Sequence, residues 1–99
     1  MIQLGMTDSP AVRELLNSGE LQLDYLEVHG PYVQDCHLNR PGWREGRLID
    51  AHLALEEDDY QLFEQILYRC QPWSVTLEYN HDPVNILSQI RRLREILNR

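Results

Sequence analysis

The hydrophobic positions of this 99-residue chain change between strand-like and helix-like spacing along its length. Short apolar runs over residues 2–6, 33–38 and 74–79 predict β-strands, because runs of about four to eight residues bounded by turn residues are typical of strands. Apolar positions at helical spacing follow each run, and they are Val12, Leu15 and Leu16, then Tyr60, Phe63, Ile66 and Leu67, then Ile86, Leu87, Ile90, Leu93 and Leu97. Strands that alternate with helices predict an α/β fold of about three β/α units with parallel strands.

Residues that favour helix starts precede these helical stretches. Pro10 suits the first position of a helix after Ser9, and Asp82 before Pro83 is a typical N-terminal cap. The acidic residues 56–59 suit a first turn, where the helix dipole favours negative charge. The sequence therefore predicts where each helix begins.

Two segments are less regular. Residues 21–28 fit both a strand and a short helix, so the pattern leaves both open. Residues 39–46 contain Pro41, Gly42 and Gly46 and predict a loop.

Composition and charge limit the kind of protein. The chain is 42% hydrophobic and 25% charged, as expected for one globular domain over residues 1–99. Its net charge of −7 argues against nucleic acid, which needs a basic surface. No apolar stretch reaches the roughly 18 residues of a membrane span, so a cytoplasmic location is expected. There Cys36 and Cys70 would be free thiols, since their spacing matches no zinc motif.

Two histidines and two carboxylates are candidate metal ligands: His37, Asp50, His52 and Glu78. Imidazole nitrogen and carboxylate oxygen suit iron, zinc or manganese. Asp50 and His52, two positions apart on an extended segment, are expected to point to one side. Glu78 lies among apolar strand residues, where an unpaired buried carboxylate costs several kcal/mol and a metal removes that cost. The simpler alternative is that the four are unconnected surface groups.

Neighbouring residues can support such a site. Asp35, Asn39 and Thr76 are candidates to orient the ligands from outside. Three arginines in the predicted loop can bind an anionic substrate, although a solvated loop is the simpler interpretation; they are Arg40, Arg44 and Arg47.

Two stretches, CHLNRPGWREGRLIDAHLALEEDDYQLFEQIL and SVTLEYNHDPVNILSQIRRLREIL, resemble the C-terminal part of the multinuclear non-heme iron-dependent oxidases. These xylose isomerase-like TIM barrels oxidatively modify cysteine-containing peptides. The resemblance covers Val33 to Leu97 and reaches Ile2 only loosely. It implies a partial TIM barrel, the C-terminal third, in which the four candidate ligands bind iron, with zinc as the alternative metal.

The resemblance also implies partners. The family acts on peptides, so the resemblance implies a peptide substrate or a protein partner. A complete barrel needs eight strands and about 250 residues, and a protein partner would supply the strands that are missing here. A homo-oligomer is a further expectation, although chains of three units do not add up to eight strands. One alternative is a non-catalytic half-barrel remnant, an interaction module that self-associates or completes a partner. Another is an endonuclease IV-like metal phosphodiesterase, which shares the His-Leu-Asn at 37–39, the Asp-x-His and the late glutamate. The net negative charge argues against a nuclease.

Overall fold

The computed structural model describes residues 2–6, 14–17, 26–27 and 30–99. Within these ranges the chain forms a mixed α/β fold with two sheets and two long helices. The elements are β1 (Ile2–Met6), β2 (Glu14–Asn17), a 3-10 turn (Gly30–Tyr32), β3 (Val33–Leu38), β4 (Arg40–Arg44), β5 (Arg47–Leu53), α1 (Glu57–Leu67), β6 (Ser74–Leu77) and α2 (Pro83–Leu97). The larger sheet has the order β2-β1-β3-β6, and β4 pairs with β5 in a separate sheet.

Strands β3 and β6 are parallel, with His37 aligned with Thr76 and Leu38 aligned with Leu77. Helix α1 lies between them in the chain and α2 follows β6. The predicted strand at residues 33–38 and the two predicted helices are confirmed, and the strand predicted over residues 74–79 is found over Ser74–Leu77. Asp82 caps α2 as expected, because its Oδ1 accepts a hydrogen bond of 3.0 Å from the Val84 backbone N–H.

The predicted N-terminal β/α unit is wrong where the structure describes it. Residues 14–17 form a strand antiparallel to β1, and β1 is itself antiparallel to β3. Three apolar positions are too few to fix a helix, and pairing aligns Leu15 and Leu16 with Leu4 and Gln3 across β1. The remainder of the predicted helix lies outside the described residues. Among the described strands only β3 and β6 run parallel, so no partial TIM barrel is shown.

The predicted loop at residues 39–46 is also wrong, because it forms most of a β-hairpin with β5. Glu45 and Gly46 both have positive φ, 52° and 75°, as in the type I′ turns that join hairpin strands. Leu26 and Glu27 are helical, which decides the open choice at these two positions, and the rest of 21–28 lies outside the described residues.

The hydrophobic core forms where α1 and α2 meet the larger sheet. Its members come from β3, both helices and the adjoining loops, and they are Leu26, Val33, Cys36, Leu38, Leu55, Tyr60, Phe63, Ile66, Cys70, Leu93 and Ile96. Along β3, Cys36 and Leu38 are buried while His37 between them is partly exposed, as strand alternation predicts. Neither helix in the described ranges combines the length and apolar composition that crossing a membrane requires.

Gly30 is buried where the 3-10 turn approaches the end of α1. A Cβ at this position would overlap the backbone carbonyl oxygen of Arg69. We expect Gly30→Ala to lower the free energy of unfolding by about 1–3 kcal/mol in urea titrations, because a backbone atom must move. Gly46→Ala is the comparison: nothing lies near its Cβ, so only the positive φ costs about 1 kcal/mol. A Gly30→Ala loss no larger than that of Gly46→Ala would contradict the close approach.

Candidate metal centre

His37 and Glu78 form a pair at the end of the parallel strands. The Nδ1 atom of His37 lies 3.5 Å from Oε1 of Glu78, and both side chains are partly exposed. The pairing follows from the strand register: the Glu78 backbone N–H donates to the Leu38 carbonyl at 2.9 Å, which extends the alignment one residue beyond β6. Since Thr76 faces His37, Glu78 reaches the same side of the sheet.

Asp50 and His52 lie in a bulge of β5. Register pairs Ile49 with Gly42 and Leu53 with Arg40, so residues 50–52 lie opposite Pro41 alone. Proline has no N–H to donate, which favours a break in the ladder at this point. His52 takes a φ of 49°, in the left-handed region that histidine enters more readily than most residues.

The bulge brings the two candidate ligands into contact. Oδ1 of Asp50 lies 2.9 Å from Nε2 of His52. Bulges often redirect side chains beside functional sites, and a residue held at positive φ is a reason to look for function there. Asp50 and His52 therefore lie on one side, as predicted, but the reason is the bulge and not regular strand alternation.

Asn39 connects the bulge to β3. Its side-chain amide donates to Oδ1 of Asp50 at 2.9 Å, and the residue is only 9% exposed. Its own Oδ1 has no hydrogen-bond partner among the described residues. The orienting role predicted for Asn39 thus agrees with the contact. Asp35 instead accepts a hydrogen bond from the Ser74 hydroxyl.

His81 is a further histidine at this site that the sequence pattern did not place. Its Nε2 lies 2.8 Å from the carbonyl oxygen of Ala51, so it donates there when Nε2 carries the proton. Its ring also meets Tyr79 edge to face, with 5.4 Å between centroids. The only signal in the sequence is its position shortly after Glu78, which gives no direction for the side chain.

The four predicted ligands therefore form two histidine–carboxylate pairs, His37 with Glu78 and Asp50 with His52. Asn39 follows β3 by one residue and binds Asp50, so both pairs are attached to the same end of β3. In the part of the chain that the structure describes, no three His, Cys, Asp or Glu side chains converge in an arrangement that could hold a metal ion. Each pair can offer two ligands as it stands.

Arg40 binds carboxylates of this chain and is not available for an anionic substrate. Its guanidinium contacts Glu56 at 2.8 Å, Asp58 at 3.0 Å and Asp59 at 2.8 Å. The hydrogen bond to Asp59 raises the pKa of Arg40, and the three carboxylates add to this effect against the opposing effect of burial. Arg40 thus joins the start of the hairpin to the first turn of α1, and only Arg44 and Arg47 remain of the predicted anion-binding group.

The two cysteines are buried free thiols. Burial raises the pKa of Cys36 to about 12, with a contribution from nearby Cys70, and burial raises the pKa of Cys70 to about 11. Thiolates are the nucleophilic and metal-binding form, and they are scarce near neutral pH at these values. Both residues therefore act as small hydrophobic side chains of the core.

Comparison with protein-family models, with curated proteins and with solved structures finds no match for this chain.

Proposed function

We propose that this chain contributes a metal centre to an iron-dependent oxidation of cysteine-containing peptides, in a protein similar to the multinuclear non-heme iron-dependent oxidases. His37, Asp50, His52 and Glu78 are the proposed ligands, with zinc as the alternative metal. The observation that carries the proposal is that His37 and Glu78 meet at the C-terminal ends of the parallel strands β3 and β6. The Asp50–His52 pair is joined to the same end of β3 through Asn39. In β/α barrels the C-terminal ends of the strands carry the active site.

The proposal includes a partial barrel. Strand β3, helix α1, strand β6 and helix α2 correspond in it to the last two β/α units, and the β4–β5 hairpin is an insertion between β3 and α1. The parallel pairing of β3 with β6 supports this correspondence. The segment that begins at Val33 is also the one over which the resemblance in sequence is good.

The donor atoms suit the proposed metal. Imidazole nitrogens and carboxylate oxygens are ligands that non-heme iron and zinc both accept. Each imidazole already lies within 3.5 Å of its carboxylate. The entropy lost when a metal binds is therefore small, because few further side chains have to be fixed in place. Completing a coordination shell requires the two pairs to approach each other, or a partner chain to add ligands.

Iron bound there would supply the redox chemistry that couples oxygen reduction to oxidation of a substrate thiol. The residues of this chain hold the ligands in place. Asn39 fixes the Asp50 carboxylate, and His81 holds the Ala51 carbonyl between Asp50 and His52. The free thiols of Cys36 and Cys70 are in line with a reducing, cytoplasmic location.

Metal binding tests the proposal. We expect the purified chain to retain iron(II) under anaerobic conditions, or zinc(II), with the metal-to-protein ratio measured after desalting. His52→Ala and Glu78→Gln should each weaken binding by about tenfold or more, as loss of a ligand or its support typically does. Glu95→Gln is the matched control, since it makes the same charge change at an exposed position of α2.

Equal metal content in the parent chain and in Glu78→Gln would end the assignment of Glu78. Equal losses in Glu78→Gln and Glu95→Gln would show an effect of net charge alone. Circular dichroism of each variant establishes that the fold is intact.

A second candidate function is an interaction module that completes a partner or associates with itself. It is favoured by β6, whose outer edge pairs with no described strand. Exposed strand edges readily accept a further strand. A parent chain that retains no metal and forms oligomers in light scattering would favour this function over the first.

A further inference from the structure

The β4–β5 hairpin forms a sheet of its own and presents two different surfaces. Residues directly opposite each other on paired strands share a face. Trp43 lies opposite Leu48 on one face, and Arg44 lies opposite Arg47 on the other. The second face combines charge with apolar side chains.

This second face is here named the arginine face, and its outer members are Arg44, Arg47, Ile49 and Leu53. Arg40, opposite Leu53, and Ala51, next to Gly42, border it at the base of the hairpin. Ile49 lies opposite Gly42, two positions before Arg44, so it shares the side of the arginines. Leu53 belongs to the same side, because a Cβ on Gly42 would lie 3.5 Å from both Ile49 and Leu53. Ile49 is 38% and Leu53 41% exposed. The face is therefore a partly exposed aliphatic strip that ends in two guanidinium groups.

Among the described residues, the two arginines of this face have no anionic partner. Like charges directly opposite on paired strands are destabilising. Neither Arg44 nor Arg47 forms an ion pair with any residue in the described ranges, whereas Arg40 on the same hairpin contacts three carboxylates. An added carboxylate between Arg44 and Arg47 would relieve their repulsion, and the planar guanidinium is well suited to bind it.

We propose that the arginine face binds a short acidic and aliphatic peptide segment of a partner protein. Carboxylates of the segment would bind Arg44 and Arg47, and its aliphatic side chains would pack on Ile49 and Leu53. Nucleic acid fits less well, because it brings a charge with every nucleotide to a chain of net charge −7 and matches the aliphatic strip poorly. The proposal does not depend on metal binding.

Fluorescence anisotropy with a labelled peptide that carries Glu and Leu in a Gly/Ser background tests this. We expect the Arg44→Gln/Arg47→Gln double variant to bind the peptide about tenfold or more weakly, as loss of charge-assisted hydrogen bonds predicts. The matched control is Arg91→Gln/Arg94→Gln, which removes two exposed arginines from α2 and should change binding less than about twofold. Trp43→Ser, on the opposite face, should leave binding unchanged.

Several results would overturn the proposal. Equal losses in the two double variants would show that net charge alone attracts the peptide. A loss in Trp43→Ser as large as in Arg44→Gln/Arg47→Gln would move binding off the arginine face. The proposal is also overturned if the parent chain does not bind the peptide, or if it binds a peptide with Gln in place of Glu with equal affinity. Tighter binding of a labelled single-stranded oligonucleotide than of the peptide would overturn it too. Retained metal binding in Arg44→Gln/Arg47→Gln would separate this site from the metal centre.

Discussion

Replacing Phe63 with alanine is expected to lower the free energy of unfolding by about 3–5 kcal/mol, measured by urea titration. Phe63 is 0% exposed and is the largest fully buried side chain of the described residues. It belongs to the core cluster that joins α1 to β3 and α2. Truncation removes its apolar contacts and leaves a cavity that the surrounding side chains fill only in part. Domains of this size have about 5–15 kcal/mol of stability in total, so the variant should unfold at much lower urea.

Two further variants make this test specific. Tyr68→Ala removes an aromatic ring of similar size that is 75% exposed just after α1, and it should change stability by less than about 0.5 kcal/mol. Phe63→Leu keeps most of the buried volume and should cost less than about 1.5 kcal/mol. If Phe63→Ala cost no more than Tyr68→Ala, α1 would not be packed on the sheet as described.

Replacing Arg40 with methionine is expected to cost roughly 3 kcal/mol, because it removes the Arg40 guanidinium from the nearly buried Asp59 carboxylate. Asp59 is 7% exposed, and its Oδ2 accepts 2.8 Å hydrogen bonds from both Arg40 and the Glu56 backbone N–H. The second bond persists in the variant and limits the loss. A lower urea midpoint with an unchanged m-value would show that stability falls while the surface exposed on unfolding stays the same.

Exposed ion pairs provide the control for Arg40. Arg99 contacts Glu64 at 2.7 Å with 54% of its side chain exposed, and Arg99→Met should cost less than about 1 kcal/mol. Arg40→Lys keeps the charge but loses the planar fork, so it should fall between the parent and Arg40→Met. An Arg40→Met cost equal to that of Arg99→Met would mean that the Arg40 cluster contributes little to stability.

The sequence predicted the elements that depend on local pattern and missed those that depend on pairing. Helix α1 was predictable because Tyr60, Phe63 and Ile66 repeat at helical spacing behind an acidic first turn. Strand β2 was not, because Leu15 and Leu16 fit a helix as well as a strand, and alignment with β1 supplies the information. The direction of β1 relative to β3 is likewise set by the sheet as a whole and leaves no mark in a pattern of single residues.

The candidate site was predictable in its residue types and not in its grouping. His37 and Glu78 could be related because His37 lies on β3, Glu78 directly follows β6, and these two strands pair in parallel. The contact between Asp50 and His52 arises from a bulge opposite Pro41 within a β-hairpin. The proline and glycines of this hairpin are typical of a loop, so the sequence did not predict it. His81 reaches the bulge through a loop whose course no periodicity describes.

The β4–β5 hairpin also determines where this chain can accept insertions. Its base is held by Asn39 and Arg40, whereas its outer half pairs with no other strand among those that the structure describes. Insertion of two residues into each strand would preserve which side chains share a side, since alternation repeats every second residue. The outer half is therefore open to lengthening, grafting or evolutionary drift while the core and the bulge keep their geometry.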